Sequence, residues 1–280
     1  MSDSNQFKLA GVMGMPIFQS RSPILHNYWI KKYNIKGAYG HFPVQVDNVE
    51  AAVRGLSALG IAGCNITQPH KVMAMKLMDQ LSPLAQRIGA INCIVVQPDG
   101  SLHGFNNDGF GYIQSLKDAN PAWRADTGPI VVLGAGGAAR AVVVSLIDEG
   151  AREIRLINRT HAKADELAAV DPHVVKTYAW EERHAALDGA AMLVNTTNQG
   201  MYGQPPLDIK LDALPKSAMV SDLIYIPLET PLLAAARERG YVTTNGLGML
   251  LNQAIPAFEA WFGVKPEITE ELRQAVLATF

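Results

Sequence analysis

Val131-Val132-Leu133-Gly134-Ala135-Gly136-Gly137-Ala138-Ala139 joins an unbroken apolar run to a cluster of the smallest side chains. The run 130–133 reads as a buried β-strand and 138–149 as a helix, so the glycines sit on a strand-to-helix turn. In Gly134-x-Gly136-x-x-Ala139 the first glycine permits the tight turn and the second lets backbone approach a pyrophosphate. The small third residue lets the helix sit close to the strand. Unpaired N–H groups and the helix dipole then hold the anion. A plain strand-to-helix turn would not need so many small residues together. Gly134, Ala135, Gly136, Gly137 and Ala138 are therefore expected to hold a nucleotide.

The next strand, 153–157, decides which nucleotide. Where NAD is bound, a carboxylate about 20 residues on accepts bonds from the ribose 2′-OH. Here Arg155-Leu156-Ile157 ends in Asn158-Arg159-Thr160, with Lys163 one turn further and no acid at the strand end. A carboxylate would repel a 2′-phosphate, whereas Arg159 can clamp it, with Asn158, Thr160 and Lys163 as further donors. NADP is the expected cofactor. Asn195-Thr196-Thr197 ends a later strand, and Thr196 is expected to border the same nucleotide.

Working outward, strands alternate with helices on both sides of this turn, which indicates an α/β fold with mostly parallel sheets. Ahead of it, strands are expected at 8–15, 39–46 and 61–67, with helices at 27–33 and 47–59. Pro69 should open a further helix. The runs 92–97 and 101–105 flank Pro98-Asp99-Gly100, a hairpin signal. A helix at 108–117 leads into Asp118-Ala119-Asn120-Pro121, which reads as a linker. Two helices, about 249–262 and from 269 to the end, follow Gly246.

Length of 280 residues suits about two domains, and 48% hydrophobic with 18% charged residues supports a packed core. The formal net charge is −2 with no basic run, so no face is offered to nucleic acid. The expected partner is a small molecule. Residues 1–6 lack an apolar signal core, and no stretch suffices to cross a bilayer, which makes the cytoplasm the default compartment. Cys64 and Cys93 fit no zinc spacing and read as free, buried thiols. The histidines likewise show no metal-ligand spacing, so no metal is expected.

The N-terminal half carries polar clusters that a plain core would not require. Ser20 and Ser22 face one way if their segment is extended, with capping by Ser22 ahead of Pro23 as the other reading. Asn65 and Thr67 share one face of a strand. Gln68-Pro69-His70-Lys71 places Lys71 near the first turn of a helix, where the dipole disfavours its charge and suits it to proton donation. Asn92 and Asn106-Asn107-Asp108 add polar groups at strand ends, where α/β folds hold ligands.

These clusters together resemble the shikimate dehydrogenase family. Ser20-Arg21-Ser22-Pro23 with His26-Asn27, Asn65-x-Thr67-x-Pro69-His70-Lys71, Gly89-Ala90-Ile91-Asn92 and Asn106-x-Asp108 come in that family's order. The glycine turn, Asn158-Arg159-Thr160, Tyr225 ahead of Thr230-Pro231-Leu232-Leu233, and Gly246-Leu247-Gly248-Met249-Leu250-x-x-Gln253 extend the similarity over nearly the whole chain. The resemblance implies hydride transfer between NADPH and the C3 carbonyl of 3-dehydroshikimate, with Lys71 and Asp108 as the catalytic pair. Ser20 and Ser22 would hold the substrate carboxylate, and Asn65, Thr67, Asn92, Asp108 and Gln253 its ring hydroxyls. Tyr225 would shape the site, while Gly246 and Met249 would contact the nicotinamide end. The implied architecture is an N-terminal α/β substrate domain (1–108), a Rossmann NADP-binding domain (109–245) and C-terminal helices (246–280) returning to the first domain.

Asn107 stands where the family usually has threonine, Cys93 likewise, and Gln68 sits where an apolar residue is common. Asn107 adds a donor and bulk beside the substrate, which leaves quinate, aminoshikimate and related ring acids as alternatives. A non-catalytic NADP sensor is the reading from another class. Intact Lys71, Asp108 and Gln253 speak against it. His26 and His70 read as packing residues, and monomer and homodimer both stay open.

Overall fold

The computed structural model describes residues 7–280 and divides them into two compact units, 7–107 with 253–280, and 108–252. Residues 1–6, read above for a signal core, lie outside the described residues.

The first unit contains strands β1 (Lys8–Gly14), β2 (Gly37–Pro43), β3 (Ile61–Ile66), β4 (Gln80–Leu81), β5 (Cys93–Val96) and β6 (Leu102–Phe105). They form one sheet in the order β2-β1-β3-β5-β6-β4. β1 runs parallel to β2 and β3, whereas β5 is antiparallel to both β3 and β6, as the Pro98-Asp99-Gly100 hairpin requires. Its helices are α1 (Ser22–Lys32), α2 (Val49–Ala58), the single turn α3 (Lys71–Met75) and α4 (Pro83–Ile88). One face of the sheet packs Met13, Cys64, Ile66 and Ile94 against Val49, Val53 and Leu56 of α2. His26, Trp29, Tyr39, Phe258 and Trp261 form an aromatic cluster in the same unit, with His26 stacked on Tyr39 at 4.2 Å between centroids.

Two local expectations are corrected here. Helix α1 begins five residues before position 27, because Pro23 occupies its first turn, where a missing N–H costs nothing. Arg21 is therefore the N-cap in a helical conformation, the segment carrying Ser20 and Ser22 is not extended, and Ser22 is not a cap. Instead the Ser20 hydroxyl accepts from the Ser22 N–H at 3.3 Å. Pro69 does not open α3 either. It follows a cis peptide bond, and His70 caps a turn that starts at Lys71.

The second unit contains α5 (Asp108–Ala119), β7 (Ile130–Leu133), α6 (Gly137–Asp148), β8 (Ile154–Ile157), α7 (His161–Ala168) and β9 (Val175–Tyr178). It continues with β10 (Met192–Asn195), β11 (Met219–Asp222), α8 (Pro231–Glu238) and β12 (Val242–Thr244). All its strands are parallel, in the order β12-β11-β10-β7-β8-β9, the doubly wound order of a dinucleotide-binding domain. Ile130 and Val132 face one apolar layer with α5 and α6, and Val131 and Leu133 face another with α8. Burial on both faces explains why these strands read as continuous apolar runs. Helix α9 (Gly246–Phe262) gives residues 246–252 to this unit and the remainder to the first, which also holds α10 (Glu270–Leu277). Residues 118–121, expected as a linker, lie inside the second unit, where Asp118 accepts from Asn252 Nδ2 at 3.1 Å. No helix among the described residues is long and apolar enough to cross a membrane.

Candidate active site

In the first unit, four polar side chains distant in sequence converge on one buried network. Tyr39 Oη donates to Asn65 Oδ1 at 2.7 Å, and Asn65 Nδ2 donates to the Asn92 carbonyl at 3.1 Å. Asn92 Nδ2 then donates to Gln253 Oε1 at 3.2 Å, and Asn92 Oδ1 accepts from the Asn107 N–H at 2.8 Å. Asn65, Asn92 and Gln253 are all buried, so each bond made fixes an amide that would otherwise be costly to hide. Asn106 donates to the Ala90 carbonyl at 3.0 Å. Lys71 is half-buried, and its carbonyl accepts from Ile91 N at 3.1 Å, which ties the lysine turn to the segment leading into Asn92. Thr67, half-buried just past the end of β3, is bonded through its backbone to Met13 and His70. With five residues, α3 is a single turn with little dipole.

Ser20 is half-buried and Ser22 buried, at the start of the 11-residue α1. Tyr39, absent from the expected site residues, supplies the outer end of the network. Its only sequence signal was an aromatic in a strand.

His26, His70 and both cysteines are buried. Burial lowers the His26 pKa to about 3, so the ring is neutral inside its aromatic cluster. His70 Nε2 lies 2.7 Å from the Val44 carbonyl. Cys64 and Cys93 are free and buried, and burial pushes both thiols far up.

In the second unit, a cavity of about 180 Å³ is lined by 134–136, by Asn158 and Arg159 after β8, by Trp180 after β9, and by 196–199 after β10. Gly134 has φ +110°, and a Cβ there would meet Thr196 Oγ1 at 2.4 Å, so any other residue is excluded. A Cβ on Gly136 would meet nothing within 4 Å, so this backbone is open to a ligand. Gly136 caps the 12-residue α6 without a side-chain bond, and Ala139 is fully buried against the core. These features fit a bound phosphate. Thr196 Oγ1 donates to the Leu133 carbonyl at 2.7 Å.

Not every expected nucleotide residue reaches the cavity. Thr160 and Lys163 are exposed and, like Gly137 and Ala138, lie outside its lining; Thr160 instead accepts from Asn158 Nδ2 at 2.8 Å through its carbonyl. Met249 packs against the apolar core and Tyr225 is half-buried after β11. Gly246 is fixed by packing, since a Cβ there would sit 1.9 Å from the Leu223 carbonyl. Asp108, the first residue of α5, is buried.

One ordering group was missed by sequence. Asp222, at the end of β11, accepts from Asn195 Nδ2 at 3.1 Å, Ile224 N at 3.1 Å and Thr230 Oγ1 at 2.8 Å. Asn195 Oδ1 in turn accepts from the Thr197 N–H and hydroxyl, and Asn195 Nδ2 also reaches the Gln199 carbonyl. Asp222 thereby braces the 196–199 wall of the cavity. Burial raises its pKa from 3.8 to about 6, opposed by the three donors. The folded state thus binds its proton more tightly than the unfolded chain does. Its contribution is most favourable below pH 3.8 and is lost as pH rises through about 6. Asp222→Asn keeps an acceptor for Asn195 and Ile224 and removes the titration. The wild-type stability minus that of Asp222→Asn is expected to fall between pH 4 and 7, measured by urea unfolding, by about 2 kcal/mol. A pH-independent difference would contradict this.

The sequence matches three family models in chain order. Residues 12–94 match the shikimate dehydrogenase substrate binding domain, 119–202 the shikimate / quinate 5-dehydrogenase model, and 246–277 the shikimate 5′-dehydrogenase C-terminal domain. A relative from Rhodospirillum rubrum, named shikimate dehydrogenase (NADP(+)), is 52% identical over 96% of this chain and 97% of its own. A crystal structure of a shikimate dehydrogenase in complex with NADP+ superposes with TM-score 0.88 at 37% identity, covering 98% of this chain and 96% of that one. That of the Thermus thermophilus enzyme, in complex with NADP(H) and shikimate, gives TM-score 0.87 at 30% identity, covering 98% and 100%. A parallel dinucleotide-binding sheet in the second unit and a mixed sheet carrying a buried amide network in the first define a two-part α/β oxidoreductase. The chain belongs to the shikimate dehydrogenase family.

Proposed function

We propose that the chain catalyses the reversible, NADP-dependent interconversion of shikimate and 3-dehydroshikimate. The carrying observation is near-full-length identity of 52% to a shikimate dehydrogenase (NADP(+)), with the lysine motif Asn65-x-Thr67-x-Pro69-His70-Lys71 intact. NADPH, when bound, supplies the hydride. Residues 1–108 with 246–280 serve the substrate and 109–245 the nucleotide. The enzyme works in the cytoplasm as a monomer or homodimer.

Each side chain has a definite task in this reading. Ser20 and Ser22 hold the substrate carboxylate, favoured there by the positive end of α1. Asn65, Thr67, Asn92, Asp108 and Gln253 hold ring hydroxyls, and Asn107 adds a donor beside the substrate. The network that already links Asn65, Asn92 and Gln253 limits their rotation, so little ordering is left to pay on binding. Reducing a ketone builds negative charge on its oxygen; Lys71 stabilises that charge and delivers the proton. Proton transfer is assigned to Lys71 and Asp108 as a pair. Gly134, Ala135, Gly136, Gly137 and Ala138 carry the pyrophosphate, with Thr196 beside it. Asn158 and Arg159, in the cavity lining, take the 2′-phosphate, with the exposed Thr160 and Lys163 as further donors. Tyr225 shapes the substrate site, and Gly246 and Met249 border the nicotinamide.

The test is NADP reduction by purified protein with shikimate, quinate and aminoshikimate, repeated with NAD. Turnover is expected to be fastest with shikimate and NADP. No turnover on any ring acid would end the enzyme reading, and faster turnover with NAD would end the cofactor assignment.

A further inference from the structure

The 2′-phosphate and the adenine are substituents of one ribose, so a cavity that clamps the first must also accommodate the second. Among the described residues lining the cavity, Trp180 is the one aromatic side chain. The others are small or polar, save the Arg159 stem. We propose that Trp180 is the platform on which the adenine of NADP stacks, with Arg183 fixed behind its ring; this rests on the nucleotide reading of the cavity.

The platform is pre-organised. Trp180 is partly buried and packs against the apolar layer that contains Leu187, Leu207 and Leu211. The Arg183 guanidinium lies 4.9 Å from the indole centroid. Arg183 is itself buried, donating to the Trp180 carbonyl at 2.9 Å, to the Asp208 carbonyl at 2.7 Å and to the Asp208 carboxylate. With its charge matched by Asp208, Arg183 serves as a backing for the ring rather than as a phosphate ligand. The indole is thus held by packing and by a cation–π contact before any base arrives, so stacking costs little rotamer entropy. Base–aromatic stacking is worth roughly 1–3 kcal/mol per base, which is about 5- to 150-fold in affinity.

Adenosine 2′,5′-bisphosphate carries the base, the ribose and the 2′-phosphate without the nicotinamide. It would be titrated into wild type, Trp180→Phe and Trp180→Leu, with dissociation constants from calorimetry and tryptophan emission read in parallel. Wild-type emission should be quenched, because the other tryptophans are elsewhere: Trp29 and Trp261 are buried in the first unit and Trp123 packs on the core of the second. Trp180→Phe should bind within a few-fold of wild type and lose the quench. Trp180→Leu keeps apolar bulk but no aromatic face. It should bind both the bisphosphate and NADP at least about 5-fold more weakly. Wild-type affinity in Trp180→Leu, or an unchanged quench in Trp180→Phe, would overturn the proposal. Should Trp180→Leu fail to fold, the Phe variant's quench decides alone. Wild type binding neither ligand would instead sink the nucleotide reading itself.

Discussion

Lys71→Met should lower kcat by about 10²- to 10⁴-fold while KM for shikimate changes only a few-fold. Methionine retains most of the unbranched stem of the half-buried Lys71 and leaves the backbone bond from Ile91 N to its carbonyl intact. The α3 turn should therefore stand, and what is lost is an ammonium. If that ammonium acts on the oxyanion, its absence raises the transition state without loosening the ground state, and the loss falls on kcat. Steady-state kinetics in both directions would measure the split. An unchanged kcat would refute the role given to Lys71. A large rise in KM with constant kcat would reassign it to substrate binding.

Arg159→Ala should lower kcat/KM for NADP by about 10- to 100-fold and leave kcat/KM for NAD within a few-fold. Arg159 is exposed at the carboxyl end of β8 and lines the glycine-turn cavity. A hydrogen bond to a charged group contributes about 1.5–3 kcal/mol. The adenosine of NAD has no 2′-phosphate, so its binding should be nearly indifferent to the change. Paired titrations of both nucleotides would read the difference. Equal losses for NAD and NADP would show that Arg159 shapes the cavity rather than reading the phosphate.

Legibility differs between the two units for a physical reason. β7 and β10 are buried on both faces, so each appears as an apolar run whose end is marked by glycine or a polar residue. The glycine turn is a local event as well: Gly134 needs its positive φ and Gly136 its open side wherever the domain sits. In the first unit the signals were weaker. The start of α1 was missed because Pro23 resembles a boundary although it lies in the first turn, and the two-residue β4 has no pattern to find. Trp180 and Asp222 were missed because one follows a short strand without a motif and the other looks like any strand-end acid. Only neighbouring strands make one a cavity wall and the other a buried hub.

Contiguous residues alone place a glycine-rich turn after β7, a cation rather than an acid after Asn158, and the lysine and glutamine motifs. These are properties of contiguous residues, written in backbone freedom, side-chain size and charge. The packed fold brings Tyr39, Asn65, Asn92 and Gln253 into one network, because their separations of 26, 27 and 161 residues are closed by strand order and register. It likewise put 196–199 beside the glycine turn, since β10 pairs with β7 across more than sixty intervening residues. Hydrogen bonds reach about 3 Å, and which distant groups come within that reach is fixed by the packing of whole layers.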